Sequence, residues 1–194
     1  MNVEEVRKDT ARPGWFSRLQ GFFAQLRHPT KERLTPLPDP PVIPTNLMSD
    51  DVQLEGDGFG KLLGRRYEVS FSSTLEPEAL MRRVKQNVSA LSPEELAAFE
   101  KTSGSPWVLR LGDEFDITIW GPWNGRVRVI EVTEDAFSFV TLRGHPEAGI
   151  IRFAASRLHS GALRFHITSW ARSRERDGGF DVVTSSGLAK SLQA

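Results

Sequence analysis

Between Phe115 and Arg172, apolar and polar side chains alternate in a series of short runs. This period of two, rich in Val, Ile, Thr and Phe, is typical of half-buried β-strands. Turn signals such as Asn124-Gly125 and Ser160-Gly161 separate the runs. Consecutive strands joined by short turns predict an antiparallel meander. The predicted strands are residues 115–120, 126–132, 137–142, 150–156 and 163–168.

The alternation divides the strand side chains between two faces. The apolar face comprises Phe115, Ile117, Ile119, Val127, Val129, Phe137, Phe139, Ile151, Phe153, Leu163, Phe165 and Ile167. The polar face comprises Asp116, Thr118, Arg126, Arg128, Ser138, Arg152, Arg164, His166 and Thr168. We expect other elements to cover the apolar face and water to cover the polar one.

The residues before and after the meander predict one more strand and three helices. Arg65 to Ser72 alternates as a strand, and Pro77 can begin a helix that runs to about Val88. A second helix is predicted from Ser92 to about Gly104, because Ser92-Pro93-Glu94-Glu95 has the pattern of a capping box. After the charged turn at residues 174–179, a last helix is predicted to open near Ser185. The order of elements indicates an α+β fold.

The N-terminal quarter of the chain differs in composition from the rest. We predict a disordered tail at residues 1–12, an amphipathic helix at 13–28, a proline-rich linker at 29–55 and the folded domain at 56–194. The apolar stripe of the helix consists of Trp15, Phe16, Leu19, Phe22, Phe23 and Leu26. This stripe predicts docking on the domain or on a second copy in a homodimer. The alternative is contact with a membrane surface or a partner through Trp15, Phe16, Phe22 and Phe23.

Composition narrows the classes of function. The 194-residue chain has a formal net charge of zero, so no overall field attracts nucleic acid, and we expect no nucleic-acid partner. It has no cysteine, which excludes disulfides, thiol catalysis and thiolate metal sites and fits a reducing compartment. No apolar run is long enough to span a bilayer, and the first residues are not a secretory signal. These features predict a cytoplasmic protein.

Three local motifs resemble a known family: residues 121–127 (GPWNGRV), 141–149 (TLRGHPEAG) and 167–173 (ITSWARS). They are similar to a bacterial and plant family of unknown function, number nineteen-ninety among such domains. The resemblance runs from about Gly64 to the C-terminus. The order of elements also resembles the helix-grip fold of START-like lipid carriers, polyketide cyclases and birch-pollen allergens. It implies a curved antiparallel sheet, two short helices after the first strand, and a C-terminal helix gripped by the sheet.

The chain departs from that family in two places. Many members carry a pair of acids shortly after the Gly-His-Pro-Glu turn, where this chain has Ile150-Ile151. A role for the acidic pair therefore does not carry over. Members also continue through a longer final helix, so we expect either a truncated chain or an incomplete grip.

The leading hypothesis for function is binding of a small hydrophobic or lipid-like molecule between the sheet and the C-terminal helix. The predicted ligand-binding residues are aromatic: Trp120, Trp123, Phe139, Phe153, Phe165 and Trp170. The same side chains fit an ordinary core. We expect no cofactor.

A second hypothesis is a cyclase-like or hydrolase-like enzyme. His145 and Glu147 share a tight loop, where a histidine beside a carboxylate can transfer protons, although both also fit a purely structural turn. No metal site is predicted, because the other histidines are scattered along the chain. Four arginines on the polar face suggest either a basic patch for phosphate or nucleic acid or a solvated surface: Arg126, Arg128, Arg152 and Arg164.

Overall fold

The computed structural model describes residues 17–19, 21–22, 37–91, 97–119 and 124–174. The predicted tail at residues 1–12 and the predicted C-terminal helix lie outside the described residues. So does most of the predicted amphipathic helix. Among the described helices, none is long and apolar enough to cross a membrane.

One antiparallel sheet dominates the described part of the chain. Its path runs β2-β8-β7-β6-β5-β4-β3, and the short strand β1 pairs with the end of β6. The strands are β1 (Val52–Gln53), β2 (Phe59–Phe71), β3 (Ala97–Lys101), β4 (Glu114–Ile119), β5 (Asn124–Val132), β6 (Ala136–Leu142), β7 (Glu147–Arg157) and β8 (Leu163–Ser173). Each consecutive pair from β3 to β8 is antiparallel, and for β4 to β8 the short turns predict this pairing.

Two short helices follow the first long strand. Helix α1 spans Pro77–Gln86 and α2 spans Val88–Leu91. Pro77 occupies the first turn of α1, where its missing N–H leaves no hydrogen bond unmade. Leu80, Met81 and Val84 form the buried side of α1. The predicted α+β class and the antiparallel sheet with two short helices are confirmed.

The second predicted helix is wrong beyond residue 96. Residues 97–101 form β3, which pairs with β4 so that Phe99 lies opposite Ile117. The Phe99 ring also stacks on Phe139 at 6.3 Å between centroids. The capping pattern at Ser92 is a local signal, whereas the pairing of β3 with the edge of the sheet is a tertiary interaction that overrides it.

The apolar face of the meander, called the inner face below, carries the main core. Where side chains are described, it buries those predicted for β4 to β8, except for the partly buried Ile151, together with the buried side of α1. The Phe rings contact one another directly, with Phe137 stacked on Phe153 at 4.8 Å and Phe139 edge-on to Phe153 at 5.8 Å. The predicted assignment of residues to this face is therefore correct where the structure describes them.

Helical residues from the N-terminal segment also lie in this core. Leu19 is fully buried, and the Phe22 ring meets Phe165 edge-on at 5.9 Å. The Arg18 guanidinium lies 5.9 Å from the centre of the Phe71 ring, within the range of a cation–π contact. Leu19 and Phe22 thus pack within this chain.

The opposite face of the sheet, called the outer face, is divided into two halves. Ile130, Val140, Ile150 and Trp170 form a second apolar cluster there. Four side chains from residues 37–54, the segment around β1, cover it: Leu37, Ile43, Val52 and Leu54. The expectation that water covers this face is therefore wrong for this half, and part of the predicted proline-rich linker packs on it.

Candidate functional site

The inner face changes character near the β6–β7 turn, where its side chains become polar. We call this region the polar end; its inward positions are Arg65, Thr141, Glu147, Ser169 and Ser173. Strand register places Arg65 of β2 and Ile151 of β7 on either side of Ser169 in β8. The polar end therefore continues the same face that carries the Phe core.

An ion pair lies within the polar end. Arg65 Nη1 donates to Glu147 Oε1 at 2.9 Å, and the two side chains are only 8% and 19% exposed. Removing a charged group from water costs several kcal/mol of free energy. The attraction between the two charges of a buried ion pair often offsets that cost only in part. Such a pair on the inner face is therefore weak evidence for stability.

His145 is buried beside this pair. Its Nδ1 lies 3.0 Å from the backbone nitrogen of Glu147 and 2.9 Å from the backbone oxygen of the same residue. The backbone of Glu147 therefore holds the ring in place. The ring covers Gly125 of β5, where an added Cβ would fall 2.1 Å from His145 Cδ2. Burial lowers the pKa of His145, which the Glu147 carboxylate partly opposes, so the imidazole is neutral at pH 7.

The loop carrying His145 is secured by Gln53 of β1. The side-chain oxygen of Gln53 accepts from Gly144 N at 3.2 Å, and its Nε2 donates to His145 O at 3.3 Å. The Thr141 hydroxyl donates to Gln53 O at 3.1 Å and accepts from Gly149 N at 3.0 Å. Strand β1 therefore holds the loop in place through the hydrogen bonds of Gln53, and His145 lies in a well-fixed turn.

The part of the inner face between the Phe core and the polar end is only partly covered by the described residues, and we call it the recess. Tyr67 and Ile151 are only half-buried there, although both point to the inner face. Ser169 lies between Arg65 and Ile151, and no hydrogen bond from its hydroxyl to another described residue is found. An apolar wall beside an available hydroxyl can hold a small molecule that is mostly apolar and has one hydrogen-bonding group.

The structure brings together some of the predicted ligand-binding residues and separates others. Phe139, Phe153 and Phe165 share the inner-face core. Trp170 lies on the outer face, where its Nε1 donates to Pro38 O at 2.9 Å. Trp120 and Trp123 lie outside the described residues. His145 and Glu147 do lie together, and both belong to the inner-face side of the sheet.

Sequence reasoning missed Arg65, Gln53 and Ser169. A signal was present for two of them: Arg65 has the same strand parity as Tyr67, and Ser169 has the same parity as Ile167. Gln53 carried no signal, because its role depends on β1 inserting beside β6. In the part of the chain that the structure describes, no group of His, Asp and Glu side chains is arranged to hold a metal ion.

The fold defines an α+β protein in which an antiparallel sheet carries a core on one face and a polar end on that same face. Residues 76–177, more than half of the chain, match the model of the family described as "Domain of unknown function (DUF1990)". The chain belongs to this family.

Several solved structures are similar in overall shape. One is norcoclaurine synthase from Thalictrum flavum in complex with dopamine and hydroxybenzaldehyde, with a TM-score of 0.44, 11% identity, and coverage of 71% of this chain and 89% of that chain. Another is a hypothetical protein of Helicobacter pylori, with a TM-score of 0.46, 6% identity, and coverage of 72% and 82% respectively. A Deinococcus radiodurans protein has a TM-score of 0.44, 10% identity, and coverage of 68% and 99%. No curated protein sequence matches the chain.

Proposed function

We propose that this protein binds a small, largely apolar molecule in the recess between the Phe core and the polar end. The observation that carries the proposal is the Ser169 hydroxyl, which lies on the inner face beside the half-buried Ile151 with no described hydrogen-bond partner. The apolar body of the ligand lies against Tyr67 and Ile151, and its polar group bonds to Ser169.

The burial of the surrounding groups supports this assignment. Ser169 is 8% exposed, and among the described residues its hydroxyl is not one of the fully buried polar atoms without a partner, so a ligand can reach it. Beside Ser169, the Arg65–Glu147 pair keeps charges in a largely dry region. A ligand with one acceptor or donor group completes the bonding there, and its apolar remainder removes the exposed parts of Tyr67 and Ile151 from water.

Native mass spectrometry of the full chain, followed by extraction and analysis of any retained molecule, tests the proposal. Binding of an apolar fluorescent probe, 1-anilinonaphthalene-8-sulfonate, then provides a titration. Ser169→Val removes the hydroxyl and keeps a strand-compatible shape, whereas Ile151→Trp fills the recess. Ser70→Val on the outer face is the matched control.

We expect both recess variants to weaken capture of the retained molecule, and Ile151→Trp also to abolish probe binding. The control is expected to bind like the wild type. A purified protein that retains no molecule and binds the probe equally in all forms contradicts the proposal.

The second candidate function, an enzyme that uses His145 for proton transfer, is favoured by one observation. The ring is held at Nδ1 by the Glu147 backbone, and no hydrogen bond from Nε2 to another described residue is found. A neutral imidazole held in this way can accept a proton from a molecule in the adjoining recess.

An enzyme would convert the retained molecule into a product, whereas a carrier would not. Mass spectrometry of the retained molecule over time distinguishes the two. His145→Gln should abolish conversion while leaving capture intact, and Gly125→Ala, which displaces the ring, should slow it. His159→Gln alters an exposed histidine and is the control. Capture without any conversion leaves only the binding function. The absence of cysteine fits a reducing compartment, and we place this activity in the cytoplasm.

A further inference from the structure

The half of the outer face that the N-terminal segment leaves uncovered carries a group of basic side chains on three adjacent strands. We call it the outer polar patch; its members are Arg66 and Glu68 of β2, Arg164 and His166 of β8, and Arg152 of β7. Register places Thr168 directly between Arg66 and Arg152, and places His166 opposite Glu68. His166 is therefore surrounded by three arginines from three strands.

Two of these arginines have unused donors. Arg66 bonds Glu68 through Nε alone, at 3.4 Å, and Arg164 bonds the Ser156 hydroxyl through Nε alone, at 3.1 Å. Arg152 has fewer N–H donors left without a hydrogen bond, because its Nε and Nη2 both donate to Glu131. The terminal amino groups of Arg66 and Arg164 make no hydrogen bond to the described residues, although Arg164 Nη1 lies 3.9 Å from Glu68.

The histidine at the centre also has an unused nitrogen. His166 Nδ1 is buried and has no hydrogen-bond partner among the residues that the structure describes. Unpartnered buried nitrogens are uncommon in proteins and call for a specific explanation. An anion at this position would accept hydrogen bonds from His166 when Nδ1 carries the proton, and from the guanidinium groups beside it.

We propose that the outer polar patch is a binding site for a phosphate-like dianion, held by Arg66, Arg164 and His166. The planar guanidinium groups offer paired N–H donors to a tetrahedral anion. Glu68 occupies part of the site in the free protein, at contacts of 3.4 and 3.9 Å, and is 41% exposed. It can therefore turn into solvent when the anion binds. The site is on the opposite face from the recess and does not depend on the proposed function.

The other arginines of the outer face do not contribute. Arg126 and Arg128 are paired with Glu114, and Arg128 also bonds Asp51. Arg126 Nε also lies 3.7 Å from Asp116. The basic patch suggested by sequence alone thus divides in two, and both arginines of the half away from His166 are paired with carboxylates.

Titration of His166 by NMR, with and without sulfate at constant ionic strength, tests the site. Sulfate is the first probe because its charge stays constant across the relevant pH range. The His166 resonance is assigned by its loss in His166→Gln. Desolvation, followed by the charges of Arg66, Arg164 and Arg152, lowers the pKa of His166 to about 4, and Asp135 opposes this.

We expect saturable chemical shifts with sulfate and a rise in the pKa of His166, since the anion favours the protonated form. A rise of about one unit corresponds to about tenfold tighter binding to that form. Arg66→Gln and Arg164→Gln should each weaken binding about tenfold or more. Arg126→Gln, an outer-face arginine paired with Glu114, is the matched control and should bind like the wild type.

The source of the anion is distinguished by two further probes. Glycerol phosphate represents a free phosphomonoester, and vesicles of phosphatidylcholine with phosphatidic acid represent a lipid headgroup. Binding to either that is lost in Arg66→Gln supports the site and identifies the source. Shifts that chloride reproduces at equal ionic strength, or equal binding by Arg66→Gln and Arg126→Gln, would overturn the proposal, since they indicate screening alone.

Discussion

The indole nitrogen of Trp170 donates a hydrogen bond to the backbone oxygen of Pro38, at 2.9 Å. The two residues are separated by most of the chain, and the bond fastens the proline-rich segment onto the outer face of β8. Leu37 packs over Gly64 beside it, where an added Cβ would fall 2.6 Å from Leu37 Cδ1. The segment is therefore part of the folded domain from Leu37 onward.

Removing that hydrogen bond should loosen the proline-rich segment. We expect Trp170→Phe to lower the free energy of unfolding by about 1–3 kcal/mol, since the N–H donor is lost together with part of the buried ring. Hydrogen exchange should increase within residues 37–54. Trp107→Phe changes a tryptophan that is 80% exposed and should alter neither quantity. Unchanged exchange in Trp170→Phe would show that apolar contact alone holds the segment.

The Arg65–Glu147 pair should show strong coupling. Arg65→Met or Glu147→Met alone leaves a buried charge without its partner, and we expect each to cost about 3 kcal/mol. The double variant should lose less than the sum of the two, because neither charge remains. Urea unfolding of all four proteins gives the coupling free energy. Additive losses would show that the two side chains do not interact in solution.

The N-terminal helical residues should stabilise the domain. Because Leu19 and Phe22 are buried in the main core, we expect Leu19→Ala or Phe22→Ala to lower the free energy of unfolding by about 2–5 kcal/mol. Val42→Ala, at an exposed position, should change it by no more than about 0.5 kcal/mol. If the Leu19 and Phe22 variants are as stable as that control, the N-terminal segment is not docked on this chain. Membrane contact through Trp15, Phe16 and Phe23, which lie outside the described residues, stays a prediction.

His166 should make the protein less stable in acid. Its pKa is lowered to about 4 in the folded state, chiefly by burial, against about 6.5 in the unfolded chain. Between these values the unfolded chain binds a proton that the folded chain does not, so stability falls as pH falls from about 6.5 to about 4.

Thermal unfolding across this pH range tests that expectation. His166→Gln should flatten this part of the profile, whereas His159→Gln should follow the wild type. Sulfate, if it binds the outer polar patch, should reduce the loss. Parallel profiles for the wild type and His166→Gln would contradict the assignment.

The sequence by itself determined the strands from β4 to β8, the position of α1 and the division of side chains between the faces. These features follow from local chemistry, because strand parity and helical spacing decide which side chains can share a surface. Phe139, Phe153 and Phe165 were placed together on that basis, and the structure agrees. The resemblance carried by the Gly-His-Pro-Glu turn was likewise readable, and the family match bears it out.

Only the tertiary structure decided what covers each face and which polar groups meet. Residues 97–101 carry a capping signal before them, yet they form β3 because an unpaired sheet edge was available beside β4. Trp170 alternates onto the outer face, where a segment far away in the chain removes it from water. Arg65, Glu147 and Ser169 meet because β2 pairs with β8, not with the next strand along the chain. Pairing between distant segments depends on the free energy of the whole assembly, so periodicity within one segment does not reveal it.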